Sequence, residues 1–167
     1  MRLFFLTFMF LVPSPVFSSE LINSAFGLSL GSSFPESKVK VGATAGGVPL
    51  YRFAPKNPVS SLKNYGVILT PNSGRVVEIW AWERMSGSAK CGQVKKQLEA
   101  ALDEKYFSLK QDFTIGDLVL YSDGNRNISL SCPISFGFDP LYLQYKDKKL
   151  EVLRVSETNE SENLDGL

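Results

Sequence analysis

The sequence predicts an α+β fold: a single antiparallel sheet of about six to eight strands curved over one long amphipathic helix, in the order strands, helix, strands. Three observations carry that expectation. Short runs with strand period alternate with turns rich in Pro, Asn, Asp and Gly; one stretch, about 88–105, has helical period; and no crossover helices separate the strands.

Taken in order, Phe26-Gly27-Leu28-Ser29-Leu30-Gly31 alternates as a short strand, and Ser33-Phe34-Pro35-Glu36 offers one helical turn with Pro near its start. The stretch from Val41 to Pro49, with Gly42, Gly46 and Gly47, reads as a flexible connection. It lacks the Gly-Lys-Ser/Thr ending that a phosphate-binding loop needs to hold phosphate and Mg²⁺. Tyr51-Arg52-Phe53 makes a strand that Pro55 and Pro58 end. Tyr65 to Thr70 and Arg75 to Arg84 flank the turn Pro71-Asn72-Ser73-Gly74 as a hairpin. With Thr70 opposite Arg75, Ile68 meets Val77 and Gly66 meets Ile79 on one face, while Leu69 meets Val76 and Tyr65 meets Trp80 on the other.

From Ser86 to Tyr106 the period changes. Cys91, Val94, Leu98, Ala101, Leu102 and Tyr106 form an apolar stripe, Lys90, Lys95, Lys96, Glu99, Asp103 and Glu104 take the other side, and Ser88 suits an N-cap. Strand pattern then returns. Ile115 to Ser122 and Arg126 to Cys132 surround Asp123-Gly124-Asn125, and Leu141 to Lys146 and Leu150 to Val155 surround an Asp147-Lys148 turn. Ile115, Val119, Ile128 and Cys132 share the face expected to meet the helix.

The chain opens with the pattern of a secretory leader. Arg2 precedes the apolar run Leu3 to Val12, the breakers Pro13 and Pro15 follow, and Val16-Phe17-Ser18 leads to an expected cleavage before Ser19. That run is too short for a hydrocarbon core, which takes about twenty residues, so no stable membrane insertion is expected once it is removed. The expected organisation is a leader over residues 1–18, one globular domain over 19–155, and an acidic, disordered tail over 156–167 carrying Glu157, Glu160, Glu162 and Asp165. No cysteine adjoins the cleavage site, which argues against a lipoprotein. The expected compartment is periplasmic or extracellular. There the two cysteines, Cys91 and Cys132, are expected to form a disulfide tying the helix start to a strand end, worth about 4 kcal/mol of loop-closure entropy.

Charge and chemistry narrow the function further. The whole chain has 18 basic and 17 acidic residues, and losing Arg2 makes it formally neutral, so nucleic acid is not an expected partner. It contains no histidine, which argues against Ser-His-Asp and Cys-His nucleophiles and most zinc sites. Among the carboxylates, Asp103 and Glu104 sit on the solvent side of the helix, Asp123 and Asp139 in turns without calcium-loop spacing, and Asp117 among apolar strand residues where it needs a cation or a hydrogen bond. No metal, cofactor or catalytic residue is assigned. Asn127-Ile128-Ser129 and Asn159-Glu160-Ser161 match the glycosylation sequon.

The most suggestive surface is aromatic: Tyr65, Trp80 and Trp82 share a hairpin face with Val67, Leu69 and Val76, opposite Val77, Ile79 and Ala81. The expected function is therefore an exported, non-catalytic binding protein of the bacterial periplasm or extracellular space, an inhibitor or immunity-type protein for an exported enzyme, with a protein partner on that face. Two alternatives stand beside it: a small envelope hydrolase using paired carboxylates, and an accessory protein of envelope assembly.

Overall fold

In the computed structural model, residues 21–44, 46–111, 117–133 and 139–164 are described, with side chains to Asn159; the expected leader and Ile115 lie outside them. In chain order the strands are Ser24–Ala25 (β1), Leu28–Ser29 (β2), Lys40–Ala43 (β3), Pro49–Arg52 (β4), Asn64–Leu69 (β5), Val76–Met85 (β6), Val119–Ser122 (β7), Arg126–Ser131 (β8) and Asp139–Asp147 (β9). The helices are Ser88–Tyr106 (α1) and Lys148–Leu164 (α2), with a 3₁₀ turn at Phe107–Leu109. The fold is α+β, as expected, and its main sheet is antiparallel with seven strands ordered β3-β4-β5-β6-β9-β8-β7. A separate two-stranded hairpin, β1-β2, and the second helix depart from the expected single sheet over one helix.

One face of the sheet is the core. Tyr65, Val67, Ile79, Ala81, Leu143, Tyr145, Ile128 and Leu130 alternate onto it across β5, β6, β9 and β8, and Cys91, Val94, Leu98, Leu102 and Tyr106 of α1 pack on them. Ala101 of the expected stripe is exposed and Lys95 is buried instead. The start of α1 also differs: Gly87, at φ 104°, stands at the N-cap with no side-chain cap bond, and Ser88 is the first helical residue. Beside α1 the β1-β2 hairpin covers the same core with Ile22, Ala25 and Leu30. Its turn runs through Phe26 (φ 55°) and Gly27 (φ 86°), and the Phe26 ring meets Tyr65 and Tyr145 edge-on, at 5.2 and 5.8 Å, which holds a non-glycine residue in the left-handed region.

Three further expectations are corrected. Ser33 pairs with Arg75 as an isolated β-bridge where a helical turn was expected at Ser33 to Glu36. The glycine-rich connection carries the hairpin β3-β4: its ladder shifts register between Lys40 and Gly42, and Gly47, at φ 77°, lets the chain reverse. And Leu150 to Val155, expected as a strand, lies in α2. The Asp147-Lys148 step is no hairpin turn: the Asp147 Oδ1 accepts from the Lys149 and Leu150 N–H groups at 3.0 and 3.1 Å, which caps a helix that runs on through Ser156 to Leu164.

The sheet is strongly curled. β3 and β8 stand five places apart, about 24 Å in a flat sheet, yet both line one hollow of about 420 Å³ on the face opposite α1. That second face is therefore concave. α2 packs across one end of it, against β6 and β9, and leaves the other end open.

Candidate binding trough

The open end is built by strand alternation. A bulge between Ile68 and Leu69 on one side and Val76 and Glu78 on the other inserts Val77 into the β5-β6 ladder, so Gly66 pairs with Trp80 and Tyr65 with Ala81. This shifts the expected register by one residue and turns Tyr65 to the core face, away from Trp80. Two side-chain rows then cross the concave face. Arg52, Gly66, Trp80, Gln144 and Ser129 form one; Asn64, Trp82, Tyr142 and Ser131 form the other. The bare Cα of Gly66 is what admits the Leu50 side chain, because a Cβ there would lie 2.7 Å from its Cγ.

The hollow of about 420 Å³ has Trp80, Trp82, Tyr142 and Leu50 as its apolar wall and Ser129, Ser131 and Gln144 as its polar one. Both tryptophans are half-buried, with Tyr142 edge-on to Trp80 at 6.0 Å and 87°. Residues from Val41 to Thr44 close it from the opposite edge, and no charged side chain lines it. A second hollow, of about 600 Å³, adjoins the first and shares Val41 and Trp82 with it. Its walls include Arg52, Lys63, Phe53, Pro55 and Tyr65, so Tyr65 reaches the site only at this end. The Tyr65 hydroxyl accepts from the Val59 N–H at 2.8 Å and lies 3.0 Å from the Leu62 carbonyl, which braces the loop forming the rim.

The aromatic wall is held from below. Glu78, in the next row, accepts from the Trp80 indole Nε1 and the Gln144 amide Nε2, both at 2.7 Å, and pairs with Lys146 at 2.9 Å. Gln144 in turn accepts from the Ser129 hydroxyl at 3.0 Å. Burial opposes the charge on Lys146, but the hydrogen bond and attraction of Glu78, reinforced by Glu151, outweigh it and raise the ammonium above its ordinary range.

The remaining expected residues are structural. Cys91 and Cys132 are joined, Cα to Cα 6.1 Å, both buried in the core that α1 shares with β8. Asp117 precedes β7 and lies outside the strand expected for it; its carboxylate pairs with Lys95 and accepts from the Cys132 N–H at 3.0 Å. Asp103, expected to be merely solvated, accepts from the Tyr121 hydroxyl at 2.6 Å and pairs with Lys110 at 2.9 Å. Those bonds outweigh its desolvation and hold it below the usual carboxylate range. Asp139 opens β9. Among the described residues no group of three or more His, Cys, Asp and Glu is placed to hold a metal ion, and no helix is long and apolar enough to cross a membrane.

Sequence reasoning missed Tyr142 and Glu78. Alternation within Leu141 to Tyr145 places Tyr142 and Gln144 together, but their partnership with the tryptophans depends on β9 lying beside β6, a pairing across more than fifty residues. No family model, curated protein or solved structure matches the chain.

Proposed function

We propose that this chain is an exported, non-catalytic binding protein, and that the trough of Trp80, Trp82 and Tyr142 is the surface on which it takes up a protein partner. The observation that carries this reading is a concave, uncharged aromatic surface left open beside α2 on an otherwise well-covered sheet. A Trp80 indole held by Glu78, with the Tyr142 ring edge-on to it, offers large contact area with little entropy left to lose, the property that makes such residues binding anchors. An inhibitor or immunity-type role against an exported enzyme is the form we favour. The disulfide and a leader-like N-terminus support export. The carboxylates near the trough favour binding over hydrolysis: Glu78 and Glu151 both engage Lys146, and Asp117, engaged with Lys95, is not among the lining residues.

Affinity capture with the full chain from an envelope extract of its source tests the reading. A protein partner should be retained, and Trp80→Ala and Trp82→Ala should each weaken its retention about tenfold or more while cooperative unfolding persists. Unchanged retention by both variants would remove the trough from the interaction. Retention of membrane components in place of one soluble protein would favour an assembly accessory.

A further inference from the structure

The two hollows differ in charge in a way that specifies the partner. The trough itself carries none, but the adjoining hollow has Arg52 and Lys63 on its wall and no acidic residue in its lining; Glu36, which shares a shallower hollow with Arg52 on its far side, is engaged with the Ala54 N–H at 3.3 Å. Both are exposed, and neither forms an ion pair with a described residue, a property they share with surface lysines such as Lys56 and Lys96; their place on this wall is what sets them apart. Arg52 stands in the same cross-strand row as Trp80, with only the side-chain-free Gly66 between them. Two strand spacings separate them, about 10 Å, the reach of roughly three residues of extended chain.

We infer that the trough and its basic end together bind an acidic segment of a partner protein, an apolar side chain resting on Trp80 and Tyr142 and a carboxylate two or three residues away reaching Arg52 and Lys63. This rests on the trough being the binding surface. Charge complementarity fixes the sign of the partner, and the unpaired cations give the contact its orientation. β5, β6, β9 and β8 each have a neighbour on both sides, so the floor spends its main-chain groups within the sheet and grips with side chains alone. A hydroxyl-rich glycan finds fewer partners here, because the Trp80 N–H, the Ser129 hydroxyl and both ends of the Gln144 amide are already bonded inside the protein, which leaves the Ser131 and Thr44 hydroxyls of the lining.

The chain's two tryptophans, Trp80 and Trp82, both line the trough, so intrinsic tryptophan emission of the full-length protein reports on the site alone. The probes are a short tryptophan-free peptide alternating phenylalanine with glutamate, its phenylalanine–lysine counterpart, and oligogalacturonate as an anionic glycan. The acidic peptide should shift the emission saturably, the basic one should not, and Arg52→Glu combined with Lys63→Glu should weaken the acidic peptide at least tenfold. Raising the salt concentration should weaken it as well. Equal binding of both peptides, or indifference to the charge reversal, overturns the acidic-segment inference and leaves the trough reading standing. Binding of oligogalacturonate without the acidic peptide overturns it in favour of a glycan. Silence to every probe, together with partner capture that ignores Trp80→Ala, overturns both.

Discussion

A carboxylate only 4 % exposed must find partners or cost several kcal/mol, and Glu78 finds three, in Trp80, Gln144 and Lys146. Its charge thus keeps one indole in a fixed orientation at the trough wall. Glu78→Gln preserves shape but loses the ion pair and leaves an amide N–H where an acceptor is needed, so it should cost about 2 kcal/mol in urea unfolding and change the tryptophan emission of the folded state. A variant as stable as the parent with unchanged emission would mean that Trp80 is held by its ring contacts alone. How far such detail is legible in sequence depends on whether alternation survives unbroken. Trp80 and Trp82 were readable as neighbours on one face because β6 alternates through them. Equal counts back from the turn on the two strands pair Tyr65 with Trp80, and Val77, one extra residue in the ladder, moves that pairing to Ala81.

At the scale of elements, α2 is held to the sheet by polar groups. Asp147 caps it and binds Arg126, Glu151 binds Lys146 and Arg154, and Glu157 accepts from the Asn72 and Ser73 N–H groups at 2.7 and 3.2 Å and from the Ser73 hydroxyl at 2.8 Å. For Glu151 the Arg154 hydrogen bond leads; for Asp147 and Glu157 desolvation is opposed and outweighed by their bonds, to Arg126 and helix N–H groups in one case and to the β5-β6 turn in the other. All three titrate below their ordinary range. A depressed native pKa means that the unfolded chain binds more protons as acid is added, so this stabilisation is complete above about pH 4.5 and is lost as pH falls below it. Hydrogen exchange followed from pH 7 to pH 3 should find α2 losing protection before the central strands, with Glu157→Gln moving that loss to higher pH. An α2 that stays protected until the sheet unfolds would show that the carboxylates do not hold it. The same polar anchoring hid the helix in the sequence. Val152 and Val155, 71 % and 44 % exposed, point outward, so the apolar pattern by which a helix is recognised is turned away from the core, and β-branched residues beside an Asp-Lys step imitate a strand. α1 was legible for the opposite reason: its apolar stripe is the face it buries.

For the whole molecule, the curl of the sheet separates a covered convex core from the concave face that holds the trough, and the Cys91–Cys132 bond lies wholly in the former. The bond itself was readable from two cysteines and an export signature, whereas the curl was not, since it arises from pairings among strands distant in sequence and from the covering of one face by α1 and β1-β2. Joining positions 41 residues apart removes about 4 kcal/mol of loop entropy from the unfolded chain. At this length each kcal/mol moves the midpoint by some 2–4 °C, so replacing both cysteines with alanine should lower the Tm by roughly 10 °C. The native arrangement should nevertheless survive, because Asp117 makes a second tie at the same junction, pairing with Lys95 of α1 while accepting the Cys132 N–H. Calorimetry and tryptophan emission on the double variant separate these effects: the midpoint falls while the emission of the folded state stays that of the parent, since the crosslink and the trough occupy opposite faces of the sheet. A midpoint that does not move would deny the disulfide its role as a staple, and altered emission at a temperature where the variant is folded would mean that the crosslink shapes the trough through the sheet.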